Sequence, residues 1–149
     1  MESLKEMLIR HEGKRYKPYY CSGKRLTIGI GHNISANGLP KDIKMYLNKN
    51  GRITEEMVEI LYQIDLEIAI HGCLRLYPKF KTFTEGRRNA LINFLFNVGI
   101  GTAKTFVNTN RYINNGFWEQ ASLNMKKSKW FKQVKSRGVE IVNLIKGDS

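Results

Sequence analysis

One long apolar segment, residues 54–77, limits the folds open to this chain more than any other feature. Thr54 is a helix-capping residue followed by two acids, and Pro78 stops the helix that they begin. A helix of about 24 residues would be roughly 36 Å long. In a chain of 149 residues, it is expected to be a buried connection between two lobes. Its apolar residues lie nearly all round the helix: Ile60, Leu61, Ile64, Leu66, Ile68, Ile70, Leu74 and Leu76.

Before this helix, residues 13–53 contain the segments with strand patterns. Residues 15–21 are rich in tyrosine and end at a Ser-Gly-Lys turn, and residues 26–32 alternate with a period of two. Thr27, Gly29 and Gly31 share one face of the second strand, opposite its inward apolar residues. Glycine inside a strand often marks the close approach of a ligand or another backbone. The pattern therefore predicts an open shelf with one hydroxyl, or alternatively a hairpin packed under a helix. Residues 33–39 are predicted to be a loop.

Both ends of the chain have helical patterns. Residues 1–12 are predicted to form one helix, and residues 78–149 several, with a cap at Thr84 and stops at Gly99, Gly116 and Gly147. Trp130 and Phe131 are predicted to be core anchors of this part. The sequence therefore predicts a single α+β domain spanning 1–149. Residues 13–53 would form the strand-containing lobe and residues 54–77 the connecting helix, while 1–12 and 78–149 would form the helical lobe. A cleft between the lobes is the expected ligand site.

Glu12 is predicted to be the last residue of the first helix. Ser3 and Glu6 have the spacing of a capping box, and Gly13 can end the helix. The negative end of the helix dipole disfavours ionisation of a carboxyl there, as a general acid requires. The alternative interpretation is an ordinary surface glutamate.

The chain is strongly basic, with 25 Lys and Arg against 13 Asp and Glu and a net charge of +12. Such a protein is attracted to nucleic acid, anionic lipid or an anionic cell envelope. Residues 126–137 hold six basic residues and no acid, which indicates either a polyanion site or a solvated face.

No apolar run approaches the roughly 20 residues of a membrane span. The first six residues lack a secretory pattern, so synthesis in the cytoplasm is expected. The two cysteines, Cys21 and Cys73, have no metal-binding spacing and are expected to be reduced.

The spacing from Glu12 to His32 resembles that of the phage-type lysozymes, the endolysins of T-even and lambdoid phages. That family carries a catalytic Glu, an Asp nine positions later and a Thr six further on, followed by G-x-G-H. This chain has Glu12, Cys21 and Thr27 and then I-G-I-G-H. The resemblance continues through Ile64-Asp65, residues 96–99, residues 128–131 and Arg137, and covers nearly all of residues 2–146.

The resemblance implies hydrolysis of the β-1,4 bond between N-acetylmuramic acid and N-acetylglucosamine in peptidoglycan, without a metal or cofactor. Glu12 would protonate the leaving oxygen, and Thr27 would hold the attacking water on the opposite face of the sugar. His32 and Asp65 match a structural pair of the family, near the site with Gly29 and Gly31. The residues implied in substrate binding are Asn33, Phe96 and Asn97.

Cys21 stands where the commoner family residue is Asp. A thiol with an ordinary pKa is only a few per cent ionised at pH 7, so activation by Lys24 or Arg25 is one expectation. In one interpretation the thiolate is a base that activates water, and the configuration at the anomeric carbon is inverted. In a second it is a nucleophile, and the configuration is retained. In a third, Cys21 takes no part in the reaction. A disulfide between Cys21 and Cys73 is not expected, because the predicted positions of the two residues give it poor geometry.

The resemblance implies that the partner of this protein is bacterial peptidoglycan. It also implies a monomer that neither binds nucleic acid nor inserts stably into membranes. It would be made in the host cytoplasm and reach the periplasm through a pore formed by a holin. Three alternatives remain open: a basic nucleic-acid module, a cysteine hydrolase using Cys21 and His32, and a protein that disrupts membranes by charge alone. Glu12→Gln should abolish cleavage and leave the last activity intact.

Overall fold

The computed structural model describes residues 2–147, so the predicted domain ends at 1 and 149 lie outside the described residues. Within that range the chain forms nine α-helices, three strands and a short 3₁₀-helix at Phe80–Thr82. In chain order the elements are α1 (Leu4–Glu12), β1 (Arg15–Tyr20), β2 (Leu26–Gly29), β3 (His32–Asn33), α2 (Ile34–Asn37), α3 (Lys41–Asn50), α4 (Glu55–Leu76), α5 (Glu85–Lys104), α6 (Val107–Asn114), α7 (Trp118–Lys126), α8 (Lys129–Val134) and α9 (Ser136–Lys146).

The chain divides between Asp65 and Leu66, inside α4, into two compact units. The first unit contains α1, the sheet, α2, α3 and the first half of α4. The second contains the rest of α4 and the helices that follow it. A mostly helical chain with one small antiparallel sheet confirms the predicted α+β class. The predicted lobe boundaries at 13, 54 and 78 stay predictions.

The sheet has the strand order β1-β2-β3, with both pairs antiparallel. Thr27 lies opposite Tyr19 on one side and Asn33 on the other. The β1–β2 register is irregular between Arg15 and Tyr19. This interval contains Pro18, which has no N–H to donate to a ladder. Thr27 is therefore on the central strand.

The predicted strand over residues 26–32 is wrong in its length. β2 ends at Gly29, the chain turns at residues 30–31, and β3 begins at His32. Gly29 and Gly31 have φ values of +65° and +66°, a conformation that a regular strand does not contain. The two glycines therefore turn the chain back on itself and create a third strand.

The predicted loop at residues 33–39 contains a short helix, α2. The side chain of Asn33 caps it, because its Oδ1 accepts a hydrogen bond from the Ala36 N–H at 3.0 Å. Local capping of one helical turn was not expected from a polar, glycine-containing segment. The loop prediction is therefore wrong for residues 34–37.

The starts of the predicted longer helices are confirmed by their caps. Ser3 and Glu6 form the capping box of α1, and the Thr54 hydroxyl accepts from the Met57 N–H at the start of α4. Thr84 caps α5 in the same way. A cap depends on residues three positions apart, so the local sequence is sufficient to predict it.

The prediction that α4 is buried nearly all round is wrong for one face. Ile60, Ile64 and Ile68 are 49%, 37% and 56% exposed, and their spacing of four places them on one side of the helix. Leu61 and Tyr62, on other sides, are buried. An apolar composition does not by itself say which faces of a helix are covered.

The second unit is built around the aromatic and aliphatic side chains of helices α4 to α9. Trp130 contacts Phe94 edge to face, with ring centroids 4.9 Å apart, as the predicted core role of Trp130 requires. Gly99, with φ +79°, interrupts α5 where the sequence predicted a stop. Buried side chains of this unit include Cys73, Tyr77, Leu91, Phe94, Ile113, Met125, Trp130, Ile141 and Ile145.

Arg137 differs from the lysines with which it was grouped in the basic segment 126–137. It is 8% exposed, and its guanidinium donates to Oδ1 of buried Asn93 at 3.0 and 2.8 Å. A buried guanidinium needs such acceptors to offset its desolvation. Arg137 is therefore a buried polar contact of the second unit and is not part of a solvated face.

Candidate active site

Glu12 is the last residue of α1, as predicted. The helix closes when the Gly13 N–H donates to the Ile9 carbonyl at 2.8 Å. Gly13 then takes φ +80° with an extended ψ of 175°, which sends the chain directly into β1. The Glu12 side chain is half-buried. Its position at the junction of α1 and the sheet is thus determined by the helix end.

Gly31 provides the space that the Glu12 carboxyl occupies. A Cβ atom at position 31 would lie 2.7 Å from Cδ and Oε1 of Glu12 and 2.9 Å from its Cγ. Gly29 has a different neighbour, because its Cβ would face Val58 and Leu61 of α4 at 3.8 and 3.9 Å. The two glycines of the G-x-G motif therefore have separate roles, one beside the carboxyl and one beneath α4.

Thr27 is not on an open shelf. It is only 4% exposed, and its hydroxyl donates to the main-chain carbonyl of Arg25 at 2.8 Å. Gly29 is buried as well. The alternative interpretation, a hairpin packed under a helix, describes this face of β2 better, because the close approach at Gly29 comes from α4.

Cys21 follows β1 and is half-buried at the turn that leads to β2. Its N–H donates to the Arg25 carbonyl at 3.0 Å, and its carbonyl accepts from the Lys24 N–H at 2.8 Å. Burial opposes ionisation of the thiol. Hydrogen bonds from the Arg25 main chain, the Thr27 hydroxyl and the Gly23 main chain outweigh burial, and with the Arg25 charge they lower the pKa of Cys21. Of the two predicted activators, Arg25 contributes to this lowered pKa.

The Thr27 hydroxyl has one proton and two acceptors within reach. It donates to the Arg25 carbonyl in the observed geometry, and it also stabilises the Cys21 thiolate. One proton cannot serve both acceptors at once. A hydrogen bond to an ionised acceptor is the stronger of the two, so ionisation of Cys21 should turn the hydroxyl from the carbonyl to the sulfur. The Thr27 hydroxyl can therefore serve either acceptor, but not both together.

Tyr19 is a neighbour of the site that the sequence did not single out. Its hydroxyl donates to the main-chain carbonyl of Glu12 at 3.4 Å, and its Cα lies opposite that of Thr27. Burial raises the pKa of Tyr19, and the charges of Glu12 and Cys21 act in the same direction. Tyr19 thus borders all three predicted catalytic residues. Its position two residues before Cys21 in the predicted strand 15–21 was the available signal, since alternate residues of a strand share a face.

His32 and Asp65 are in contact, as the resemblance implied. His32 Nδ1 lies 2.8 Å from Asp65 Oδ2, and His32 Nε2 lies 2.7 Å from the Gly38 carbonyl oxygen. Burial opposes protonation of the ring, but the bonds to Asp65 and Gly38 outweigh it and raise the pKa of His32. The pair ties β3 and the segment after α2 to α4.

A raised histidine pKa predicts how stability changes with pH. The contribution of His32 should be complete below its unfolded pKa of about 6.5 and be lost as pH rises through its higher folded pKa. Asp65→Asn should therefore lower the free energy of unfolding by at least about 1 kcal/mol at pH 5, and by less at pH 9. Urea unfolding of both proteins across this range measures the difference.

The matched control is Asp42→Asn, which changes an exposed acid on α3. It should produce a smaller loss that does not follow the titration of His32. If the loss caused by Asp65→Asn were constant from pH 5 to pH 9, the proposed linkage to His32 would be wrong.

Two predicted substrate-binding residues, Phe96 and Asn97, are in the second unit. Oδ1 of Asn97 accepts a hydrogen bond from Nε1 of Trp130 at 2.8 Å. The group of Asn97 that would hydrogen-bond a ligand is therefore its amide nitrogen, as a donor. Phe96 is half-buried. The third, Asn33, belongs to the first unit, and its Oδ1 is engaged in capping α2. The binding roles of these residues stay predictions.

The structure also bears on metals, disulfides and membranes. Within residues 2–147, no group of three or more His, Cys, Asp or Glu side chains is placed to hold a metal ion. Both cysteines are free, and burial raises the pKa of Cys73 to about 12. Among the described helices none is by itself long and apolar enough to cross a bilayer. α5 and α6 reach the required length and hydropathy only together, with a bend of 110°.

Known proteins are similar to this chain over nearly all of its length. It is 28% identical over 160 residues to a probable T4-type lysozyme of Dictyostelium discoideum, covering 97% of this chain and 94% of that protein. It is 28% identical to an endolysin of Acyrthosiphon pisum secondary endosymbiont phage 1, covering 94% and 86%. It is also 30% identical to the pre-baseplate central spike protein Gp5 of Enterobacteria phage T4, covering 96% of this chain and 27% of that protein. Residues 9–145 match the Phage lysozyme family model, and the chain belongs to the phage lysozyme family.

Proposed function

We propose that this protein hydrolyses the β-1,4 bond between N-acetylmuramic acid and N-acetylglucosamine in peptidoglycan, with Glu12 as the general acid. Membership of the phage lysozyme family and the similarity to an endolysin support a muramidase role at the level of the family. The observation that carries the specific assignment is the position of Glu12. Its carboxyl is placed at the helix end against Gly31, where any side chain would collide with it.

In this proposal Glu12 donates its proton to the glycosidic oxygen as the bond to the anomeric carbon breaks. The sugar ring develops oxocarbenium character, and water attacks from the opposite face. Glycine at position 31 and the Tyr19 hydroxyl on the Glu12 carbonyl restrict where the carboxyl can be. A general acid that is restrained in this way loses less entropy on reaching the transition state.

Cys21 and Thr27 activate the water in the proposal. The lowered pKa of Cys21 supports a thiolate that accepts a proton from water, the role that a carboxylate has in an inverting glycosidase. Thr27 holds the sulfur through its hydroxyl, and its oxygen keeps a lone pair that can accept a hydrogen bond from the water. Because Thr27 is buried, orienting Cys21 is the larger part of its role.

Three variants of Cys21 and the configuration of the product test this assignment. If Cys21 is the base, Cys21→Asp should retain most of the activity and Cys21→Ala should lose about 10²-fold or more, with inversion at the anomeric carbon. Cys21→Ser should resemble the alanine variant, because a hydroxyl is not ionised near neutrality. The measurements are initial rates on purified peptidoglycan and the anomer first released, observed by NMR.

Two other outcomes would replace the base role. Retention of configuration, with a trapped glycosyl thioether, would identify Cys21 as a nucleophile whose sulfur bonds to the anomeric carbon. Full activity in Cys21→Ala would exclude both chemical roles and make Cys21 a spectator. Glu12→Gln serves as the inactive reference in each assay.

The proposed setting of this reaction is the bacterial cell wall. We propose that the protein is a monomer, made in the host cytoplasm and released to the periplasm when a holin opens the inner membrane, and that it causes lysis and so acts against bacteria. The similarity to an endolysin supports this setting. A nucleic-acid module explains the charge of +12 but not the arrangement of Glu12 and Gly31.

A further inference from the structure

Helix α3 of the first unit exposes almost its whole surface. Of its ten residues, all within the range that the structure describes, only Ile43 is buried, and Leu47 is half-buried. Met45 and Tyr46 are 60% and 37% exposed. A helix this short is marginal in water by itself, and most helical stability in proteins comes from a packed face. The packing that this chain provides for α3 is therefore small, and its open side is available to a partner.

The exposed side chains of α3 have a definite arrangement around the helix. At about 100° per residue, Met45 lies roughly 160° from both Ile43 and Leu47, so it points away from the core. Lys41 and Lys49 are about one turn before and after Met45, on the same side of the helix. The outermost part of α3 is thus an apolar side chain between two cationic ones.

Two more exposed residues border this row. Lys44 and Tyr46 lie about 100° to either side of Met45. Asp42 is the one acid of α3, and exposed Arg52 follows the helix, so the surroundings are positively charged as well. We call five of these residues the α3 face: Lys41, Lys44, Met45, Tyr46 and Lys49.

The combination of charge and apolar surface indicates the chemistry of the partner. A polyanion such as nucleic acid would contact the lysines and leave Met45 without a role. Lysines at a bilayer surface bind headgroup phosphates while their stems cover apolar groups. Methionine and tyrosine side chains can enter the boundary between headgroups and acyl chains. The α3 face therefore fits a bilayer surface that contains anionic lipids.

Two other exposed aliphatic side chains lack this arrangement. Leu123 of α7 is 53% exposed, but Glu119 lies about one turn before it. Val139 of α9 is 45% exposed, and Asn143 lies about one turn after it. Neither is placed between two lysines on its own helix, so they provide controls for Met45.

We propose that the α3 face binds the inner membrane of the bacterial host through its anionic lipids. Helix α3 lies in the headgroup region, with Met45 and Tyr46 entering it and the three lysines at the lipid phosphates. The contact is peripheral and reversible, and the chain does not cross the bilayer. It keeps the protein at the membrane from which the proposed release to the wall occurs. The binding itself does not depend on the proposed hydrolysis, so the two can be tested apart.

The first test is binding of the protein to vesicles, measured by co-sedimentation at several salt concentrations. Vesicles of phosphatidylethanolamine with about 30% phosphatidylglycerol are compared with vesicles of phosphatidylcholine alone. The variant that removes the charges of the α3 face is K41Q/K44Q/K49Q. Its control, which removes three charges from exposed lysines of the second unit, is K126Q/K132Q/K135Q.

The variant of the α3 face should bind anionic vesicles at least about tenfold more weakly than the parent, because each lysine at an anionic surface adds to binding. The control variant should lose less than about threefold, since charges away from the surface are screened. The parent should bind phosphatidylcholine vesicles far more weakly than anionic ones. Equal losses in the two variants, or equal binding to the two kinds of vesicle, would overturn the proposal.

Met45→Trp tests the apolar part of the contact through a gain of binding, which unfolding cannot mimic. Tryptophan is preferred at membrane interfaces, so binding to anionic vesicles should become about threefold tighter or more. Leu123→Trp, at a similarly exposed position of α7, should change binding by less than about twofold. Unchanged binding in Met45→Trp, or an equal gain in Leu123→Trp, would show that Met45 does not contact the membrane.

Two further comparisons separate this proposal from its alternatives. Glu12→Gln should bind vesicles as the parent does, because it changes the proposed hydrolysis and leaves the α3 face intact. If K41Q/K44Q/K49Q loses binding to duplex DNA but none to anionic vesicles, the α3 face is a nucleic-acid site and the proposal is wrong. Circular dichroism of each variant shows that the fold is retained.

Discussion

Glu12→Gln is expected to reduce hydrolysis of purified peptidoglycan by at least about 10³-fold, since general acid catalysis contributes 10²–10⁴-fold. Glutamine has nearly the same shape as glutamate, so it can occupy the space beside Gly31 without a clash. It cannot deliver a proton to the glycosidic oxygen. The measurement is the initial rate of wall solubilisation, with circular dichroism and thermal unfolding to show that the fold is retained.

The control for this result is Glu56→Gln, the same chemical change at an exposed position of α4. It should leave the rate within about twofold of the parent, because solvent and salt screen the charge of an exposed side chain. Activity within tenfold of the parent in Glu12→Gln would remove Glu12 from the role of general acid. Folding failure cannot mimic the expected result, because unfolding is measured on the same sample.

Gly31→Ala is expected to impair both stability and activity. The new Cβ would lie 2.7 Å from the Glu12 carboxyl, so the carboxyl must move. The φ of +66° adds a cost of about 1–2 kcal/mol for any residue with a Cβ. We expect at least about 10²-fold lower activity, since displacement of a catalytic group by 1 Å can cost that much. Urea unfolding and initial rates measure the two effects separately.

Two further variants separate the clash from the backbone conformation. Gly51 has φ +72° and open space where a Cβ would lie, so Gly51→Ala should lose about 1 kcal/mol and no activity. In a Glu12→Ala background the atoms that collide with position 31 are absent, and Gly31→Ala should then cost no more than Gly51→Ala. An equal cost of Gly31→Ala in both backgrounds would show that the carboxyl is not in contact with this glycine.

The features that could be predicted from the sequence are those with causes a few residues apart. The capping box of α1 and the caps at Thr54 and Thr84 depend on a hydroxyl three positions before a main-chain N–H. The position of Glu12 at a helix end follows from Gly13. The stop at Gly99 follows from a residue that takes positive φ at little cost.

The interpretations that were wrong concern what packs on each surface. Period-two alternation predicted an open face at Thr27, but α4 covers that side of β2. The same kind of argument predicted full burial of α4, although Ile60 and Ile64 are exposed. Periodicity shows which residues share a face and says nothing about what lies against it. Arg137 was grouped with the lysines for the same reason, because its partner Asn93 is distant in the sequence.

By itself, the sequence determined the α+β class, the long helix, and the spacing of Glu12, Cys21 and Thr27, because local propensities and short intervals encode them. Only the tertiary structure decided that Gly31 and not Gly29 borders the Glu12 carboxyl and that Tyr19 adjoins the site. It also decided that the Thr27 hydroxyl donates to the Arg25 carbonyl and is among the groups that lower the pKa of Cys21. The physical reason is that hydrogen bonds and steric contacts depend on distances between atoms, and two residues at the same spacing in a strand meet different neighbours once the chain turns.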